Sequence, residues 1–189
     1  MTRSMTISFL AMILGAGALQ AEPVTGEAAK ALLFAPKPSA VQMLPQDVLA
    51  DSDVATLKMV GGSQPYFGAI AISPAEGLMA EATVAAVNHH SAEAAETAAL
   101  RDCEARRKGD AACIVVGLIT PEGWEKRDLQ LSADATAAFA ELYKTPGAVA
   151  ISPATGNFAI SLGDDAGESA IGACEEKAKS GDCVVVIQD

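Results

Sequence analysis

The residues able to do chemistry are few in this chain of 189 residues. His89 and His90 are its only histidines. On a strand, adjacent side chains point to opposite faces; on a loop the two rings can lie together. There, with Glu81 or Glu93, they have the donor types of a surface metal site. The simpler reading is a polar loop leading into a helix that starts after Ser91. Ser73 and Ser152 each precede a proline, and a nucleophilic serine needs an activating base and an oxyanion hole. The stretch around Ser152 holds no histidine yet keeps the same residues, so turn geometry accounts for both serines better than catalysis. No G-x-S-x-G, H-E-x-x-H or phosphate-cradling glycine loop occurs. Trp124, the one tryptophan, lies in Pro-Glu-Gly-Trp-Glu-Lys-Arg. It is read either as a core plug between substructures or as a partner contact, since interfaces favour Trp and Arg.

The first residues read as an export signal. Met1-Thr2-Arg3-Ser4 carries one positive charge, Met5 to Ala18 is apolar, and Leu19-Gln20-Ala21 suits signal-peptidase cleavage after Ala21. The apolar run is shorter than the ~20 residues that span a bilayer. The chain has 13 basic and 24 acidic residues, and Arg3 is the only charge in the leader, so 12 basic residues remain after cleavage. Such an acidic surface argues against nucleic acid and anionic lipid as partners. An even set of cysteines in an exported chain, here Cys103, Cys113, Cys174 and Cys183, reads as disulfides.

An internal similarity organises the elements that must position these residues. Gly68-Ala-Ile-Ala-Ile-Ser-Pro-Ala-Glu-Gly77 recurs as Gly147-Ala-Val-Ala-Ile-Ser-Pro-Ala-Thr-Gly156. Cys103-Glu, Gly109-Asp and Cys113-Ile-Val-Val recur as Cys174-Glu, Gly181-Asp and Cys183-Val-Val-Val. Each copy predicts a strand, a Ser-Pro-Ala-x-Gly turn, a second strand (Leu78–Val87 or Asn157–Leu162), a helix and a last strand (Cys113–Ile119 or Cys183–Ile187). Ser91 is the expected cap of the first helix, whose Ala95, Ala99 and Cys103 share one face. Asp165 with Glu168 predicts a capping box for the second. Equivalent positions then select Cys103–Cys113 and Cys174–Cys183 from three possible pairings. Each closed loop stabilises by about 3 kcal/mol in the chain-entropy model.

The AIAI-Ser-Pro-x-x-Gly hairpin, the alanine-rich helix ending in cysteine and the Gly-Asp-Cys-Val-Val-Val strand resemble a family of small exported bacterial domains of unknown function, with an AIAxSPxTG-type opening and paired cysteines. The resemblance covers residues 66–119 and 147–187. It implies export and disulfides, and it brings no catalytic residues with it. Similar sequences sometimes carry the label 5-aminolevulinate synthase. This chain resembles nothing in that enzyme, which needs a lysine Schiff base with pyridoxal phosphate.

The expected fold is α+β: two β-β-α-β repeats forming one integrated domain with short N-terminal helices, built on one sheet or on two small sheets packed through helices. The expected divisions are a signal peptide at 1–21, a helical and extended segment at 22–65, repeat 1 at 66–119, a linker with a helix at 120–146 and repeat 2 at 147–189. Gly26–Phe34 and Ala50–Met59 predict the short helices. Ser132–Lys144 predicts the linker helix, with Ala135, Phe139, Leu142 and Tyr143 inward. The expected function is that of an exported, non-catalytic binding module, periplasmic or secreted. Its expected partner is an envelope or extracellular protein, with no cofactor and no membrane once the leader is removed. A metal-binding protein using His89 and His90, or a small hydrolase, are the alternatives.

Overall fold

The computed structural model describes residues 22–189, so the expected signal peptide lies outside the described residues. The order is α1 (Gly26–Leu32), β1 (Ser39–Met43), α2 (Asp51–Gly62), β2 (Gly68–Ile72), β3 (Val84–Ala86), α3 (Ala92–Glu104), β4 (Ile114–Pro121), α4 (Ala133–Leu142), β5 (Gly147–Ile151), β6 (Phe158–Leu162), α5 (Ala166–Ala178) and β7 (Val184–Gln188). The fold is α+β on two antiparallel sheets, ordered β1-β4-β2-β3 and β6-β5-β7. Among the described residues no helix is long and apolar enough to cross a membrane.

The alternation in Ala-Ile-Ala-Ile has a packing cause. β2 and β5 are the inner strands of their hairpins and are buried along their whole length. Successive side chains on a strand face opposite sides. Ala69 and Ala71 face the alanine-rich α3, with Ala95, Ala98 and Ala99, while Ile70 and Ile72 pack with Leu57 of α2, Val116 and Ile119. Likewise Ala148 and Ala150 meet Ala166 and Ala170 of α5, and Val149 and Ile151 meet Ala135 and Phe139 of α4. Small residues on one face let a helix lie close, and the branched residues fill the wider gap on the other. Each sheet is therefore a layer between two helices. The helix expected to be a linker, α4, covers the second sheet as α2 covers the first.

The two units also match in finer detail. Both have a register shift, between Ile70 and Ala71 opposite β4 and between Val149 and Ala150 opposite β7. A bulge leaves one residue of the strand unpaired. The freed carbonyl of Val116 accepts the Leu44 N–H (2.9 Å), and that of Val186 accepts the Val24 N–H (3.0 Å). Cys103 is bonded to Cys113 and Cys174 to Cys183, each bond tying the repeat helix to the start of the last strand. Disulfides of this kind persist in oxidising, non-cytoplasmic compartments.

Three local expectations give way. The strand expected over Leu78–Val87 is only Val84–Ala86. Before it the chain makes turns closed by Ala80 N–H to Gly77 and Thr83 N–H to Ala80, and Met79 is 95% exposed. Asp165 makes no side-chain cap, so the capping box is absent. Leu142 faces solvent, beyond the last buried turn of α4, although Ala135 and Phe139 do point inward. The extended part of the 22–65 segment is the strand β1. Ser91 does cap α3, its hydroxyl accepting the Ala94 N–H at 3.1 Å, and Ala95, Ala99 and Cys103 are fully buried.

Candidate functional site at the seam of the two units

The Asn88-His89-His90 segment follows β3 and crosses to the second unit. Asn88 takes a left-handed φ of 62°, a conformation that Asn tolerates better than most residues. Its amide side chain pairs twice with Asp134 at the start of α4: Nδ2 donates to the carboxylate (2.9 Å), and Oδ1 accepts the Asp134 N–H (3.1 Å). The segment runs over the Ser-Pro-Ala-Thr-Gly turn of the second unit, against Gly156. The His89 N–H meanwhile holds the Phe67 carbonyl at 3.0 Å.

His90 is the buried bolt of this seam. Its Nδ1 accepts the Ser132 backbone N–H at 3.1 Å, and its Nε2 lies 3.1 Å from the Asn157 carbonyl. A backbone N–H can only donate and a carbonyl can only accept. The ring is therefore neutral, with its proton on Nε2. Burial pushes its pKa down to about 4, against a smaller opposing effect from the Asn157 carbonyl. One imidazole thus joins the first unit, the cap of α4 and the turn of the second unit.

The two histidines do not come together as ligands. His90 has no free lone pair. Among the described residues the Nδ1 of His89 is buried without a partner, and burial, then the nearby Arg101 charge, lowers the pKa of this ring as well. Glu81 and Glu93, the carboxylates expected to help, pair at 3.0 Å with Lys108 and Lys126. Among the described residues no three His, Cys, Asp or Glu side chains gather as a metal site.

Ser73 and Ser152 are fully buried beneath their turns. Ser152 Oγ donates to Asp182 at 2.7 Å and accepts from Thr155 Oγ1 at 2.8 Å, and Ser180 also bonds Asp182. The second Asp182 oxygen accepts the Ala154 N–H at 3.0 Å. In the first unit the carboxylate sits on the other side of the same gap. Glu76, in the turn, accepts the Lys108 and Gly109 N–H groups at 3.0 and 3.1 Å. Its pKa is lowered by the neighbouring Ser73 hydroxyl first and by these amides next. Ser73 Oγ nevertheless closes no hydrogen bond of normal geometry. Each serine thus belongs to a clamp between the hairpin turn and the Gly-Asp turn, and neither is hydrogen-bonded to a histidine.

Trp124 is half-buried. Its ring meets Phe67 edge to face at 6.2 Å, and its Nε1–H donates to Gln130 at 3.0 Å. With Phe34 it closes a cluster around Tyr66, Phe67, Ala92 and Ala133. The ring is a plug, and the polar groups around it are what reach the surface. Gln130 and His90 line one cleft of about 460 Å³, together with Ser91, Glu93, Lys126, Arg127, Asp128 and Pro153. Arg127 is fixed from behind, donating to the Leu32 carbonyl at 2.8 Å and stacking 3.8 Å over Phe34. Past Glu93 and Pro153 a second groove runs along α3 by Thr97 and Arg101 to Asp182. The two segments that the internal similarity leaves out, the histidine extension and the tryptophan stretch, thus meet at one cleft. Gln130 also lines it, while Asp134, Gly156 and Asn157 hold the Asn88-His89-His90 segment in place. Sequence pattern singles out none of these four for that role.

Set against family models, curated proteins and solved structures, the chain matches none.

Proposed function

We propose that this chain is an exported, non-catalytic binding module, periplasmic or secreted, and that it engages an envelope or extracellular protein through the seam cleft. The observation that carries this reading is the contrast between floor and rim. The floor is His90, neutral, buried and hydrogen-bonded on both ring nitrogens. The rim is exposed and charged, with Glu93, Lys126 and Asp128 around the mouth. The Glu93–Lys126 pair is mostly solvated, and exposed pairs of this kind are worth at most about 1 kcal/mol, so a partner can exchange them cheaply. Rim charges of both signs favour a partner surface of mixed charge and set its orientation. The leader-like first residues, the two disulfides and the resemblance to exported domains support the compartment. The matched sequence blocks, together with the matching strand orders, bulges and disulfides of the two units, support descent from one duplicated unit.

A photo-crosslinking residue at Asp128 tests this, with Met59, 74% exposed on α2, as the control position. The expected result in the envelope fraction is a discrete light-dependent adduct from position 128 that is absent from position 59 and lost in Lys126→Glu. No adduct at 128, or the same adducts at both positions, overturns the reading.

A further inference from the structure

A second concavity, of about 560 Å³, lies between α4 and the chain leaving α1 and shares no lining residue with the charged cleft. Its walls are the rings of Phe34, Phe139 and Tyr143 with Leu33 and Pro36. Its size and apolar lining are those of small-molecule sites, which span roughly 300–1,000 Å³ and carry a few polar groups that fix orientation. Here two polar features stand out. Thr136 is buried in the wall, its hydroxyl engaged only weakly, 3.5 Å from the Leu131 carbonyl. Behind it the Tyr66 hydroxyl is fully buried and, among the described residues, unpartnered, with Thr136 its polar side-chain neighbour. Buried hydroxyls without a partner are costly and uncommon. The Tyr143 hydroxyl, by contrast, is spent on the Gly147 carbonyl and the Asp189 carboxylate, so that residue offers only its ring.

Among the described residues, Lys30 is the one charged group lining this pocket. Its partner Glu27, one helical turn away, is 88% exposed, and so is most of Lys30. A pair this exposed holds the ammonium weakly. We infer that the α1–α4 pocket binds a small carboxylate with an aromatic body, the rings taking the body and Lys30 the carboxylate. Charge decides between an anion and a neutral apolar ligand: the one charged side chain lining the aromatic pocket is a cation, and its exposed pair with Glu27 at 3.2 Å is weak enough for a ligand carboxylate to displace. This site is separate from the seam cleft, and either proposal can fail without the other.

The test uses 4-phenylbutyrate and its neutral counterpart 4-phenylbutanol, titrated into the disulfide-intact protein by calorimetry. The fluorescence of Trp124, which packs with Phe34 on one aromatic cluster, gives a second readout. Expected are saturable binding of the carboxylate, about fivefold weaker binding of the alcohol, and about fivefold weaker carboxylate binding in Lys30→Gln with the alcohol unaffected. Ala140→Trp, at an exposed pocket-lining position of α4, is expected to abolish both. Absence of saturable binding, equal binding of acid and alcohol, or an unchanged Lys30→Gln overturns the proposal. Because Lys30 is exposed, that variant decides the matter even where Ala140→Trp fails to fold.

Discussion

Gly77 and Gly156 close the same turn in the two units, and comparing them measures the seam. Their φ angles are 80° and 76°. Each N–H bonds the carbonyl of its turn serine, at 3.3 and 3.1 Å. An alanine at either position meets the same left-handed penalty of about 1–2 kcal/mol. The surroundings differ. A Cβ at Gly77 meets nothing within 4 Å, whereas at Gly156 it would lie 2.5 Å from the Asn88 carbonyl oxygen and 3.1 Å from His89 Cα. Backbone cannot swing aside as a side-chain tip can, so Gly156→Ala must displace the Asn88-His89-His90 segment. Forced overpacking of this kind costs about 1–3 kcal/mol more. Gly77→Ala is therefore expected to cost about 1–2 kcal/mol and Gly156→Ala about 2–5 kcal/mol. Urea unfolding with disulfides intact reads this as a midpoint lower by roughly 1 M in the second variant than in the first, with unchanged slope. Equal losses in the two variants refute the claim that the histidine segment bears on that turn.

Acid should loosen the seam before it titrates the carboxylates. The His90 pKa is lowered in the folded state, so the unfolded chain binds the proton more readily. The associated stability is complete above pH 6.5 and is lost as pH falls from there towards about 4, about 3 kcal/mol in all. His90→Gln is expected to flatten the dependence of urea stability on pH across that window, and an unaltered slope counts against the neutral, doubly bonded ring. The clamps beneath the two turns predict an asymmetry. Ser152→Ala breaks the bonds to Asp182 and Thr155 and should cost about 1–2 kcal/mol, whereas Ser73→Ala removes a hydroxyl that lies beside Glu76 without closing a bond of normal geometry and should cost less; matching losses in thermal or urea unfolding would contradict this. Replacing either cysteine pair by alanine should cost about 3 kcal/mol, alike in the two units because the separations are 10 and 9 residues. A large difference in urea stability between the two double variants would mean that one bond holds more than its own loop.

The features legible in sequence are those that short-range pattern determines. Ser91 announces a helix because a hydroxyl there satisfies an orphan amide, and Ala95, Ala99 and Cys103 announce its buried face by spacing. The Ser-Pro-Ala-x-Gly stretches give the turns because only glycine accepts the closing φ without strain. The cysteine pairing comes from position alone. The expectations that gave way depend on tertiary partners. Asp165 has the sequence of a cap, but the chain enters α5 with a φ of −97° and ψ of 22°, away from the extended geometry that a capping side chain needs. Leu78–Val87 reads as a strand by composition, but turns at Gly77 and Ala80 consume the backbone donors that a ladder would use. β1 pairs with β4 across more than seventy residues of sequence, and nothing local to Ser39–Met43 encodes that partner.

The site was half legible, for the same reason. Sequence comparison within the chain marks His89, His90 and Trp124 as unshared, and the structure brings their surroundings to one cleft. It does so by burying the groups that looked reactive. Asn88 spends its side-chain amide on Asp134, and His90 spends its two ring nitrogens on the Ser132 N–H and the Asn157 carbonyl. An insertion that fuses two similar units must satisfy every backbone group that it covers, and polar side chains with both donors and acceptors do this best. Chemistry-bearing residue types at a junction are therefore weak signs of catalysis when their donors and acceptors are already paired. The open groups beside them, Glu93, Lys126 and Asp128, carry no motif at all. They are nonetheless the side chains that the proposed partner would meet first, on a frame tied by His90 and two disulfides.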